Sequence, residues 1–240
     1  MAGHNKWSSI KHKKAKTDAQ KGKQFSKVGR EIMMAAKLGG ADADLNPRLR
    51  LALQKAKQVN MPNENVKRAI QKGAGGDDDS QLEEITYEAF GPNGVALLID
   101  TLTDNRNRTV SNIKAILGKG GANMATPGAV SYLFEKKGLL LFDQGIDTDK
   151  VIDIATESGA DDVDLKDDGS VEVVTNVQDY ESVKQAFDSS SIEYESAEIT
   201  MIPSTSVKLS EEDAEKIITL LEKIEEDDDV QDVYANFDID

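Results

Sequence analysis

The sequence predicts an α+β chain: an N-terminal three-helix domain followed by two small α/β sandwich domains with antiparallel sheets. Three observations predict it. Apolar residues recur at three- and four-residue spacing from Phe25 to Ile70. Gly73-Ala-Gly-Gly-Asp-Asp-Asp-Ser80 then breaks the pattern with glycines and acids that suit a linker. Beyond it, a hairpin-then-helix unit is expected at 82–117 and again at 130–157. That echo argues for layered units, each with helices on one face of a small sheet.

Residues 1–16 have no hydrophobic period and are expected to be mobile when free. Thr17-Asp-Ala-Gln20 has the form of a capping box. Phe25, Val28, Ile32 and Ala35 or Ala36 form the stripe of a first helix, and Gly39-Gly40 supplies its left-handed stop. Asn46-Pro47 caps a second helix with the stripe Leu49, Leu53, Ala56 and Val59. Pro62-Asn63 opens a third, with Val66 and Ile70 inward and Gly73 at its end. Arg48, Arg50, Lys55, Lys57, Lys67 and Arg68 mostly avoid these stripes, which makes the outside of the bundle basic.

After the linker, Ile85–Phe90 and Val95–Thr101 read as strands joined at Gly91-Pro-Asn-Gly94. A helix from Asn105 to Leu117 closes at Gly118. A second strand pair, Ala129–Phe134 and Leu139–Phe142, is expected to flank a turn at Lys136-Lys137-Gly138. Helix Asp149–Glu157, strands Val163–Leu165 and Val171–Thr175, helix Asp179–Phe187 and strand Glu195–Ile202 follow. The chain ends with helix Glu211–Glu225 and strand Val230–Phe237.

Charge is divided unevenly along the chain. Residues 1–72 carry 13 Lys and 4 Arg against 5 acids, a net of +12; residues 73–240 carry 12 bases against 39 acids, a net of −27. An asymmetry of that size points to nucleic-acid contact through the basic part. It also predicts that the two parts attract at low ionic strength, so nucleic acid competes with the acidic body for the head and the free protein expands as salt rises. With 240 residues, 38% of them hydrophobic, the chain suits one large domain or two to three small ones. The lack of cysteine removes disulfides, thiolate zinc sites and cysteine nucleophiles. No apolar run approaches the ~18 residues of a membrane span. The N-terminus has no apolar signal core, and it forms no amphipathic face before Phe25 of the kind a mitochondrial presequence carries. A cytoplasmic monomer is expected.

The chain resembles the YebC family along nearly its whole length. The stretches that carry the resemblance are Ala2-Gly-His-Asn-Lys-Trp-Ser-Ser-Ile-Lys-His-Lys-Lys14, Tyr87-Glu-Ala-Phe-Gly-Pro-Asn-Gly94, Thr103-Asp-Asn-Arg-Asn-Arg-Thr109 and Pro127-Gly-Ala-Val-Ser-Tyr-Leu-Phe-Glu-Lys-Lys-Gly138. Asn93 stands where the family is expected to have glycine, and asparagine tolerates the left-handed backbone a turn needs. Members are described as probable transcriptional regulators, and the family includes a mitochondrial activator of cytochrome oxidase subunit translation. The resemblance implies three domains with one sandwich inserted in the other: 1–77, then 78–130 with 204–240, and 131–203 between them. It also implies binding of DNA at promoters or of RNA at the ribosome.

The residues suited to gripping nucleic acid are Lys6, Trp7, Lys11, Lys13, Lys14 and Lys16 in the arm and Lys21, Lys23, Lys27 and Arg30 in the first helix. The cations neutralise phosphates, each adding about one unit to the salt dependence of binding. Trp7 offers a face for base stacking, or alternatively a hydrophobic anchor for the arm. Arg106 and Arg108 stand where a strand passes into a helix, and suit either an anion or neighbouring acids. Asp77–Asp79 and Glu225–Asp229 read as solvated linker and helix-end charge rather than metal ligands. His4 and His12 do not make a metal pair, and Gly118-Lys-Gly-Gly121 lacks phosphate-loop spacing. No catalytic residue, metal or cofactor is expected. The reading is a non-enzymatic nucleic-acid-binding regulator, with DNA and ribosomal RNA both open as targets. Its rivals are an adaptor whose acidic domains bind basic proteins, and an enzyme with a carboxylate-lined cleft.

Overall fold

The computed structural model describes residues 18–75, 82–166 and 168–239, with side chains in the first helix from residue 22 onward. The arm lysines, Trp7, both histidines, the Thr17 capping box and Asp77–Asp79 lie outside the described residues. The chain forms two compact units. One takes the described residues up to Val130 together with Ser210–Val233; the other takes Ser131–Leu209 and the C-terminal residues from Tyr234.

The first unit opens with α1 (Asp18–Gly39), α2 (Pro47–Gln58) and α3 (Asn63–Ala74). Their stripes meet in a core of Ile32, Ala35, Leu49, Ala52, Ala56 and Ala69, with Val28, Leu53, Val66 and Ile70 packed against it. The expected stop at Gly40 is present, at φ +85°. Helix α3, however, runs through Gly73 to Ala74. A Cβ on Gly73 would lie 2.2 Å from the carbonyl oxygen of Met33, so this glycine permits close approach of α3 to α1 rather than ending the helix.

The same unit continues with β1 (Glu83–Phe90) and β2 (Ala96–Thr103), paired antiparallel from Glu83↔Thr103 to Phe90↔Ala96. The intervening turn holds Asn93 at φ 58° and Gly94 at φ 77°, the conformation in which asparagine replaces glycine at little cost. Helix α4 (Arg106–Lys119) passes the expected stop at Gly118 and leads to the short strand β3 (Asn123–Met124). With α7 (Glu211–Glu225) and β9 (Val230–Ala235) this gives a four-stranded sheet of order β3-β1-β2-β9. The sheet therefore draws strands from both sides of residues 131–209. Ile113 and Leu117 of α4 and Ile217, Leu221 and Ile224 of α7 are buried.

The second unit corrects an expectation. Phe134–Phe142 is one strand, β4, with no hairpin at Lys136-Lys137-Gly138. Gly138 pairs with Thr175 on one side and Ile199 on the other. A Cβ there would lie 2.3 Å from Thr175 Oγ1 and 2.5 Å from Tyr180 Cδ2, so packing rather than a turn demands glycine. After β4 come α5 (Thr148–Ser158), β5 (Asp162–Leu165), β6 (Val171–Asn176), α6 (Tyr180–Asp188) and β7 (Ser196–Pro203). The second segment is thus a β-α-β-β-α-β unit of sheet order β5-β6-β4-β7, antiparallel throughout, and not a repeat of the first hairpin and helix. Phe142 and Phe187 pack at 4.8 Å between ring centroids where α6 crosses β4. The expected terminal strand is interrupted at Asn236. Its last part, β10 (Phe237–Ile239), pairs in parallel with β8 (Val207–Leu209), a strand the sequence pattern did not reveal.

Candidate nucleic-acid interface

The three-helix head is positioned by one buried asparagine. Asn46 Oδ1 accepts the Leu49 amide at 3.1 Å and caps α2, as its place before Pro47 predicts. Its Nδ2 also donates to the carbonyls of Ala35 and Gly40, each at 2.8 Å. One side chain thereby serves the start of α2 and the end of α1.

Most basic side chains described on α1 face partners inside the unit. Lys23 Nζ donates to the Glu226 carbonyl at 3.0 Å and Lys27 Nζ to the Glu225 carbonyl at 2.8 Å. Both carbonyls lie at the C-terminus of α7, where the helix dipole concentrates negative charge and a cation contributes ~0.3–1 kcal/mol. Arg30 Nη1 bonds Asp229 Oδ1 at 2.9 Å and also donates to the carbonyl of Asp228. On α2, Arg48 spans Glu31 of α1 and Glu84 of β1, and the charge-assisted hydrogen bonds it donates, that to Glu84 foremost, raise its pKa. Lys55 Nζ stands 3.9 Å from Asp232 of β9.

Asp229 is the centre of this arrangement. Its expected place was among solvated helix-end acids; instead its side chain is 3% exposed. Arg108 contacts both carboxylate oxygens, Thr109 Oγ1 donates at 2.7 Å and Thr103 Oγ1 at 3.3 Å. Burial pushes the Asp229 carboxyl up, but the hydrogen bonds from Arg108 and Thr109 and the charges of Arg108 and Arg30 outweigh it and hold the group below the ordinary carboxylate value. The bond to Asp229, followed by that to Asp104, raises the pKa of Arg108.

The predicted residues therefore divide into groups. Lys23, Lys27, Arg30 and Arg108 have internal partners. Arg106 is exposed at the N-terminus of α4. Lys21 lies in α1 with its side chain outside the described residues; Lys6, Trp7, Lys11, Lys13, Lys14 and Lys16 lie outside the described residues altogether. Lys67, Arg68 and Lys72 form an exposed basic strip along α3. Their four- and five-residue spacing away from Val66, Ala69 and Ile70 was the available signal for it. Lys136 lies on strand β4, not at a hairpin tip. Among the described residues no group of three or more His, Asp or Glu side chains is placed to hold a metal ion. No helix described is long and apolar enough to cross a membrane.

Comparison with known proteins accounts for nearly the whole chain. Residues 5–76 match the TACO1/YebC N-terminal domain, and residues 82–237 match the TACO1/YebC second and third domain. A probable transcriptional regulatory protein of Citrifermentans bemidjiense is 54% identical over 239 residues, covering 100% of this chain and 96% of that protein. One from Erwinia tasmaniensis is 49% identical, covering 100% and 97%. The crystal structure of a conserved hypothetical protein from Aquifex aeolicus superposes with a TM-score of 0.86 at 44% identity, covering 98% of this chain and 97% of that one.

Proposed function

The chain belongs to the TACO1/YebC family, and from that premise we propose that it is a non-enzymatic, cytoplasmic regulator of gene expression that acts by binding nucleic acid through its N-terminal part. The observation that carries the reading is the charge step, +12 before residue 73 and −27 after it. A polyanion is attracted to the first part and repelled by the second. The arm supplies Lys6, Lys11, Lys13, Lys14 and Lys16 as phosphate contacts and Trp7 as a stacking surface, with Lys21 continuing the row. Lys67, Arg68 and Lys72 add an exposed strip on the head. The relatives are named probable transcriptional regulatory proteins, and duplex DNA is a target that suits such a role. A second reading, an RNA target in translation, is favoured by Trp7 standing among lysines, a pairing suited to unstacked bases.

Titration of duplex DNA and of structured RNA, at several salt concentrations, tests both. Replacing the five arm lysines by glutamine should weaken binding and flatten its salt dependence. Tighter binding of duplex DNA supports the transcriptional reading, and tighter binding of RNA the translational one. Binding of neither overturns the proposal.

A further inference from the structure

Asn93 is the one asparagine of the chain that glycine follows. It lies in the β1–β2 turn in the left-handed conformation, at φ 58° and ψ 18°. Asn93 and Gly94 are both exposed, and a Cβ built on Gly94 would meet nothing within 4 Å. The amides closing the turn are weakly held. Gly94 N donates to the Gly91 carbonyl and Val95 N to the Pro92 carbonyl, each at 3.3 Å, where about 2.9 Å is usual. Asn60 is a built-in comparison: it is exposed and left-handed as well, at φ 57°, but Met61 follows it. The Met61 amide is bonded to the Ala56 carbonyl at 2.9 Å, and its side chain packs against the helical core. The contrast matters because a backbone nitrogen that has lost its proton is a nucleophile, and glycine has no side chain to shield it.

We propose that Asn93 is a site of spontaneous covalent modification, at which its amide is converted to aspartate and isoaspartate. The Gly94 nitrogen gives its proton to hydroxide and attacks Cγ of Asn93. The N–Cγ bond forms as the Cγ–Nδ2 bond breaks, and Nδ2 takes up a proton and leaves as ammonia. Water then adds to one carbonyl of the resulting cyclic imide. Opening at Cγ gives aspartate; opening at the main-chain carbonyl gives isoaspartate, whose backbone runs through Cγ. At ψ 18° the Gly94 nitrogen is turned away from Cγ, so attack requires the turn to open, and the long hydrogen bonds keep that opening cheap. Either product adds a carboxylate near Asp213 in the first turn of α7, whose carboxyl Lys216 foremost, and Asn93 after it, hold below its ordinary value. Isoaspartate also lengthens the main chain between β1 and β2. An isoaspartate-specific methyltransferase is the class of enzyme that recognises this second product.

The test incubates the folded full-length protein in mildly alkaline water enriched in heavy oxygen and follows each asparagine by peptide mapping. Amide loss at Asn93 should run ahead of Asn60 and every other asparagine, with heavy oxygen incorporated and isoaspartate labelled by such a methyltransferase. Amide loss is the readout because Asp168-Gly169 can form the same imide without releasing ammonia. The rate should rise with pH, since the attacking nitrogen must lose its proton. Asn93→Gly should abolish the signal at this position, and Asn93→Gln, which must close a larger ring, should slow it strongly. An Asn93 amide that is lost only after unfolding in urea, or no faster than that of Asn60, overturns the site. A rate independent of pH overturns the chemistry.

Discussion

Arg108 lays its guanidinium across the carboxylate of Asp229, with Nη2 2.8 Å from Oδ1 and 2.7 Å from Oδ2, although 121 positions separate the two residues. This pair ties the start of α4 to the segment leaving α7, and Arg30 ties α1 to the same carboxylate. Breaking a buried ion pair costs ~3–5 kcal/mol, but Arg108 is 44% exposed and regains water when its partner is removed. Asp229→Ala should therefore destabilise the protein by about 2 kcal/mol in urea unfolding. A double-mutant cycle with Arg108→Met should show strong coupling; additive effects would mean that the pair is incidental.

The pH dependence follows from the same carboxylate. Its folded pKa is depressed, so its contribution is fully present above the unfolded value of ~3.9 and is lost as pH falls below that toward the folded value. Acid unfolding of Asp229→Asn should accordingly show a shallower loss of stability below about pH 4 than the wild type. Parallel curves for the two proteins would contradict the assignment.

Gly138 provides a test of packing against turn geometry. Any side chain there collides with Thr175 and with Cβ of Tyr180, 2.9 Å from an added Cβ. Gly138→Ala should cost ~1–3 kcal/mol, and Gly138→Asn more. A turn glycine would instead accept asparagine better than alanine. Thermal unfolding of the two variants decides which order holds.

Asn46 does two jobs that substitution can separate. Asn46→Asp keeps the acceptor for the Leu49 amide and loses the donor to Ala35 and Gly40. Asn46→Ala loses both, and should cost ~1–3 kcal/mol. The aspartate sets a buried carboxylate oxygen against both carbonyl oxygens, so it should cost at least as much as alanine; an aspartate equal to wild type would show that the bonds to α1 contribute nothing.

Much of this architecture was legible in the sequence because its signals are local. The stripe of α2 and its Asn46-Pro47 start, the Asn93-Gly94 turn and the helix Glu211–Glu225 all declare themselves within a few residues. The unread features depend on distant partners. Asp229 looked solvated because it ends an acidic run, while Arg108 and Arg30, 121 and 199 positions away, are what bury it. Gly138 looked like a turn because its reasons, Thr175 and Tyr180, lie on other elements. Strand β8 is three residues long and paired in parallel with the C-terminus, too short to show an alternating pattern. Within the candidate interface, composition identified the cations, and only the fold separated those committed to α7, Asp229 or Asp104 from those left on the exposed side of α3.

Contact between the N-terminal cations and a polyanion should register in the salt dependence of nucleic-acid binding, compared between the full-length protein and a variant with Lys6, Lys11, Lys13, Lys14 and Lys16 changed to glutamine. Five lost phosphate contacts should reduce the slope of log K against log salt by roughly 4 and weaken binding at every salt concentration. Equal slopes and equal affinities for the two proteins would contradict the account.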